Sequence, residues 1–139
     1  MNRQKAREEA FLMLCESAFA PERTADEIYD TAMIARDLEE DTFARACVRG
    51  VCENREQIDT MISSHASGWS RRRLSVVTGA ILQLATYEMM FRQDIPLRVS
   101  LNEAIELAKR YDDEKARAFV NGVLNAIATE ARATRSDEE

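Results

Sequence analysis

The chain has 139 residues, of which 45% are hydrophobic and 32% charged, a composition typical of one soluble globular domain and unlike a disordered chain. Four glycines and two prolines leave few turn residues for a many-stranded sheet, so the composition favours an all-α fold. The net charge of −6 taken alone argues against a polyanionic partner. The acidity is local, however, because residues 21–64 hold eleven acidic side chains against five basic ones. No stretch is apolar enough to cross a membrane, and the first residues lack a signal-peptide pattern.

Helical periodicity predicts three helices in the first half of the chain. The first covers about residues 3–19 and is closed by Pro21. Thr24 and Glu27 form a capping-box pattern that opens the second. Apolar residues at helical spacing then predict one long helix over 42–64.

The second half begins after a break at residues 63–70, where Trp69 is expected to anchor the connection in the core. The most apolar stretch, 74–91, predicts a central helix. A second capping-box pattern, Ser100 to Glu103, predicts the start of the next helix. The acidic run 112–114 marks the start of the last one, which extends to about residue 134.

These elements predict six or seven helices in one domain that spans residues 1–139. Its helical halves are expected at about 1–64 and 70–134, followed by a frayed tail at 135–139.

The residue types needed for catalysis or metal binding are sparse. Three cysteines, Cys15, Cys47 and Cys52, and one histidine, His65, offer no plausible zinc set and no nucleophile paired with a base. Free buried thiols favour a reducing compartment, so we expect a cytoplasmic protein. No glycine-rich phosphate loop occurs, so we expect no catalytic residue, metal or cofactor.

Two basic clusters remain as candidate binding features. Arg3, Lys5 and Arg7 crowd the start of the first helix, where free amide groups and the helix dipole already favour anions. Arg71–Arg73 follow Trp69 and could pack their aliphatic stems against it. Solvated surface charge is the favoured explanation of the first cluster and still more of Arg71–Arg73, so the residues alone predict only a helical domain that binds something.

Several segments of this chain resemble the NusB family of transcription antitermination factors. Residues 102–109 (NEAIELAK) and 119–124 (FVNGVL) resemble the two C-terminal signatures of that family. Residues 80–88 (AILQLATYE) resemble its central helix, and 3–8 (RQKARE) its arginine-rich opening. The resemblance covers about residues 3 to 128.

The resemblance implies an all-α fold of about seven helices in two small helical subdomains. It also implies a protein that binds boxA-type RNA together with the ribosomal protein NusE. That pair would join the RNA polymerase elongation complex through other Nus factors and suppress termination, with no chemical reaction. A homodimer is a further possibility.

The resemblance also implies site residues, with RNA contacts at Arg3, Gln4, Lys5, Arg7 and Phe119 and NusE contacts at Cys15, Val77 and Thr78. Gln4 interrupts the arginine run that the family often has, which predicts weaker RNA binding without NusE. Phe119 could instead belong to the core, since it shares a helical face with Val123 and Ile127.

Two other functions are compatible with parts of the pattern. One is a helical protein-interaction module or homodimer without specific RNA binding. The other is an RNA cytosine methyltransferase, some of which carry a NusB-like domain at the N-terminus. We expect no methyltransferase, because the chain ends about fifteen residues after the last signature and leaves no room for a catalytic domain.

Overall fold

The computed structural model of this chain describes residues 1–66 and 74–135, and their regular structure is entirely helical. The helices are α1 (Arg3–Ala18), α2 (Ala25–Ala35), α3 (Thr42–Glu53), α4 (Arg55–His65), α5 (Val76–Phe91), α6 (Leu97–Tyr111) and α7 (Glu114–Thr134). The prediction of an all-α fold with about seven helices is therefore confirmed. Trp69 and Arg71–Arg73 lie outside the described residues. Within the described part of the chain, no helix is long and apolar enough to cross a membrane.

Side-chain caps set the starts of most helices. Thr24 and Glu27 make both hydrogen bonds of a capping box, at 3.1 and 2.9 Å, so that prediction is confirmed. Asp113, in the predicted acidic run, caps α7 by accepting from the backbone N–H of Ala116 at 2.7 Å. Side chains also cap α1, α3 and α5, at Asn2, Asp41 and Ser75.

The predicted single helix over 42–64 is wrong, because the chain breaks at Asn54 into α3 and α4. The Asn54 side chain and its backbone N–H both donate to the Gly50 carbonyl, at 2.8 and 3.1 Å. Asparagine competes in this way with the regular helical ladder. The apolar periodicity of the sequence does not reveal this break, because it continues across it: Val51 before the break and Ile58 after it are both fully buried.

The predicted start of α6 at Ser100 is also wrong, because the helix begins at Leu97 after Pro96. Proline suits a helix start, where its fixed φ is already helical and its missing N–H leaves no bond unmade. The Ser100 hydroxyl instead donates to the Glu88 carboxylate at 2.7 Å, and both side chains are buried. The sequence has the pattern of a capping box, but the serine hydroxyl is hydrogen-bonded to a buried carboxylate on α5 instead of capping a helix.

The first compact unit comprises Met1–Asn54 and contains α1, α2 and α3, each packed against the other two. Its fully buried side chains include Phe11, Met13, Tyr29, Cys47 and Val51. This packing places the start of α1 beside the start of α3, which positions the predicted binding residues described below.

The second compact unit begins at Arg55 and has α5 at its centre, with α4, α6 and α7 packed against it. The prediction that 74–91 forms the central helix is confirmed, because α5 buries side chains on every face. Ile81, Leu82 and Leu84 are almost completely inaccessible to solvent.

The guanidinium of Arg135 closes the C-terminal end of α5. Its side chain is only 5% exposed and donates to the carbonyls of Ile95 (2.7 Å), Met89 (2.8 Å), Glu88 (3.2 Å) and Arg92 (3.2 Å). The last turn of a helix and the loop after it leave some carbonyls without a backbone partner, and arginine carries five donors that can satisfy them. The polar composition after residue 134 predicts a frayed tail from residue 135, whereas Arg135 itself is buried.

Candidate nucleic-acid interface

Two arginines at the start of α1 each lie over the same aromatic ring from α3. The Arg3 guanidinium carbon lies 4.0 Å from the centre of the Phe43 ring, and that of Arg7 lies 5.2 Å from it. Both distances are within the range of cation–π attraction. Phe43 and Arg7 are buried, 6% and 4% exposed, whereas Arg3 remains exposed. Arg3 therefore offers a guanidinium to solvent while the ring beneath it limits its movement.

The amino-acid sequence does not mark Phe43 as part of this site. The residue lies far along the chain from Arg3 and Arg7, and its apolar neighbours mark it only as part of a helix face. The packing of α1 against α3 brings the three side chains together. No short-range pattern carries that information.

The predicted cation Lys5 forms an ion pair with a carboxylate of its own chain. Its ammonium lies 2.9 Å from a carboxylate oxygen of Glu9, whose other oxygen lies 2.7 Å from the Arg36 guanidinium. The hydrogen bond from Lys5 to Glu9 raises the pKa of the lysine. Glu9 is buried at 2% exposure, while the Lys5 side chain is 49% exposed. A phosphate that binds Lys5 must therefore share it with Glu9, which holds the ammonium at the surface.

In the second unit, Phe119 lies on the wall of a groove of about 420 Å³. The ring is partly buried, near the start of α7, with Lys115 and Asp112 on the same groove. The Thr78 hydroxyl donates to Asp112 at 2.6 Å and so fixes that carboxylate in the groove. This position favours the interpretation that Phe119 can contact a ligand over the interpretation that it belongs to the core.

The three residues expected to contact NusE differ in accessibility. Cys15 and Val77 are partly buried, on α1 and on the first turn of α5. Burial raises the pKa of the Cys15 thiol to about 11, so the thiol is protonated at neutral pH. Thr78 is only 3% exposed and its hydroxyl is engaged with Asp112. Cys15 and Val77 are therefore partly accessible, whereas Thr78 is buried and bonded to a carboxylate of its own chain.

His65 falls within the break that the sequence predicts at residues 63–70, but it is the last residue of α4. Its Nε2 lies 2.5 Å from the Glu130 carboxylate on α7. Among residues 1–66 and 74–135, no group of three or more histidine, cysteine or acidic side chains is arranged to hold a metal ion.

A family model described as the NusB family matches residues 4–129, nearly the whole chain. The chain belongs to the NusB family. The transcription antitermination protein NusB of Carboxydothermus hydrogenoformans is 42% identical over 136 residues, spanning 92% of this chain and 93% of that protein. The protein of the same name from Bacillus subtilis (strain 168) is 44% identical over 131 residues, spanning 94% of this chain and 97% of its own.

Solved NusB structures share the fold. The structure of T. maritima NusB matches with a TM-score of 0.85 and 39% identity, covering 94% of this chain and 92% of that one. A crystal structure of the antitermination factors NusB and NusE in complex with dsRNA matches with a TM-score of 0.82 and 29% identity. It covers 92% of this chain and 96% of the matched chain.

Proposed function

We propose that this NusB-family chain is a transcription antitermination factor of the bacterial cytoplasm that binds boxA-type RNA together with NusE. Through other Nus factors it scaffolds assembly on RNA polymerase, and it makes or breaks no covalent bond. The observation that carries the proposal is the exposed Arg3 guanidinium stacked on Phe43 at the start of α1. Membership of the NusB family, and a similar structure of NusB with NusE and dsRNA, support it.

Phosphate binding is assigned to the exposed side chains at the start of α1. Arg3 and Lys5 supply positive charge, and Gln4 supplies an uncharged hydrogen-bond donor between them. Contacts of this kind give affinity and register but little sequence preference. Arg7 is a weaker candidate for direct contact because it is 4% exposed, and it acts mainly by fixing Phe43.

Sequence preference is assigned to the groove that contains Phe119. Single-stranded RNA is recognised through bases that stack on aromatic rings and hydrogen-bond along their edges. The Phe119 ring can supply the stacking surface, and the Asp112 carboxylate can accept from an amino group on a base. The hydrogen bond from Thr78 keeps Asp112 in place for that contact.

Of the three residues expected to contact NusE, Thr78 is buried and holds Asp112. Contacts with NusE are assigned to the other two, Cys15 in the first unit and Val77 in the second. Their partial burial leaves small apolar areas that a protein partner can cover. Because NusE would add its own contacts to RNA, we expect the pair to bind boxA-type RNA more tightly than this chain alone.

The proposal is tested by measuring binding to boxA RNA and to a scrambled RNA, with and without NusE, across a salt series. Replacing Arg3 with alanine should weaken binding and lower the magnitude of the log–log salt slope by ~0.7, the loss expected for one phosphate contact. Arg132→Ala, at an exposed arginine of α7, is the matched control and should leave the slope unchanged.

Arg7→Ala separates two roles for the buried arginine. A slope lowered as for Arg3→Ala would place Arg7 on a phosphate, whereas weaker binding at an unchanged slope would assign it to positioning Phe43. If boxA RNA binds no better than the scrambled RNA even with NusE, specific RNA recognition is refuted. The remaining function would then be a protein-interaction module.

A further inference from the structure

A second groove of about 690 Å³ lies in the second unit, where α4, the end of α5 and α7 meet. Its apolar surface comes from Met61, Met90 and Phe91, and its acidic residues are Glu56 and Glu130. It shares no residue with the groove that contains Phe119. None of its residues is assigned to RNA or to NusE.

The apolar surface of this groove combines one fixed ring with two adaptable side chains. Phe91 is 39% exposed, and its ring stacks against Tyr87 with the centroids 6.0 Å apart. Met61 and Met90 are both partly buried. Methionine side chains rearrange easily around different apolar groups and are common at protein-binding surfaces. Such a groove is suited to receive an apolar side chain from a partner.

The charge of the groove restricts the kind of partner. Glu56 and Glu130 are exposed, and Glu130 is held at the edge by the His65 ring, 2.5 Å away. Among the described residues that line the groove, none is lysine or arginine. Two carboxylates without a lining cation repel RNA phosphates and attract cationic side chains.

We propose that this groove binds a basic amphipathic helix of a partner protein. An apolar side chain of that helix packs between Met61 and Met90 against Phe91, and lysine or arginine side chains face Glu56 and Glu130. Helices that present apolar residues at i, i+3 and i+4 commonly dock into grooves between helices. This interaction goes beyond the RNA and NusE binding proposed above and gives the scaffold a further protein contact.

The test uses the full chain with ¹³C-labelled methionine methyl groups, followed by NMR. The probe is an amphipathic helical peptide of leucine and lysine, with a peptide of leucine and glutamate as its counterpart. The lysine peptide should shift the methyl signals of Met61 and Met90 and leave the fully buried Met13 of the first unit unchanged. The glutamate peptide should bind at least about tenfold more weakly, because its carboxylates face those of the groove.

Charge variants test the acidic edge. The double variant Glu56→Gln and Glu130→Gln should weaken binding of the lysine peptide about fivefold, since exposed ion pairs each contribute modestly. Glu22→Gln with Glu39→Gln makes the same charge change at two exposed carboxylates of the first unit, and it should leave peptide binding unchanged. Phe91→Ser should weaken binding about tenfold, because it removes the ring from the groove.

Three results would overturn the proposal. The first is equal binding of the two peptides, and the second is the absence of shifts at Met61 and Met90. The third is a shift of both signals with protein concentration alone, which would make the groove a contact between copies of this chain. Binding of boxA RNA by the double variant should be unchanged, so failure here is distinguishable from failure of the proposed RNA function.

Discussion

Replacing Arg135 with methionine should lower the free energy of unfolding, because carbonyls at the end of α5 lose their donor. Glu88 and Arg92 keep a partner, since their carbonyls also accept backbone N–H groups at 3.0 Å. Among the described residues, the carbonyls of Met89 and Ile95 have Arg135 as their hydrogen-bond donor. Each buried carbonyl left without a partner costs about 1–3 kcal/mol, and water entering the site offsets part of that. We therefore expect a loss of about 3 kcal/mol in total.

The loss is measured by urea denaturation followed by circular dichroism, with the midpoint and the slope fitted separately. A loss of that size corresponds to a decrease in Tm of about 10 °C for a chain of this length. The control is Arg132→Met, at an exposed arginine in the last turn of α7, the helix that ends just before Arg135. It should change the free energy of unfolding by less than about 0.5 kcal/mol. If the Arg135 variant unfolds within that same margin of the unmodified protein, the guanidinium does not hold the end of α5.

Three further predictions concern single side chains. Burial raises the pKa of the Cys15 thiol to about 11, so its alkylation by iodoacetamide at about pH 8 should be roughly a hundredfold slower than that of an unperturbed thiol, as judged by mass spectrometry. The folded protein holds this proton more tightly than the unfolded chain does. The contribution of the thiol to the free energy of unfolding is therefore complete below pH 9.0 and is lost as the pH rises through about 11. An alkylation rate that levels off near pH 9.0 would contradict the raised pKa. Ser100→Ala removes a donor to the buried Glu88 carboxylate and should reduce the free energy of unfolding by about 1.5–3 kcal/mol in urea, whereas an unchanged midpoint would show that the carboxylate does not depend on it. Phe43→Leu keeps the apolar volume but removes the ring below Arg3, and it should weaken boxA binding about threefold by fluorescence anisotropy; unchanged binding would remove Phe43 from the site.

The helices could be predicted from the sequence because their signals are local, and the errors arise where a distant group competes. Thr24 and Glu27 form a capping box whose two hydrogen bonds are both made within four residues of chain. Ser100 and Glu103 have the same sequence pattern, but the Ser100 hydroxyl donates to the buried carboxylate of Glu88, which lies twelve residues away in sequence. Asn54 ends α3 without interrupting the apolar periodicity, so hydrophobic spacing could not reveal it.

The candidate site was predictable in part. The cations at the start of α1 stand out as a basic run, and the family resemblance behind their assignment is confirmed by the match over residues 4–129. Their surroundings were not predictable, because Phe43 and Arg36 reach them only through the packing of α1 against its neighbours. The contact roles of the individual residues stay predictions.

The ring beneath Arg3 also has a consequence for the kinetics of binding. A free arginine side chain loses about 1.5–2 kcal/mol of rotamer entropy when it becomes immobilised. Contact with Phe43 at 4.0 Å restricts those rotamers in the folded chain itself, so part of this loss belongs to folding. An anion that meets Arg3 therefore finds an oriented guanidinium and orders less of the protein on arrival. The expected result is slower dissociation rather than faster association, since oriented contacts chiefly prolong the lifetime of a complex.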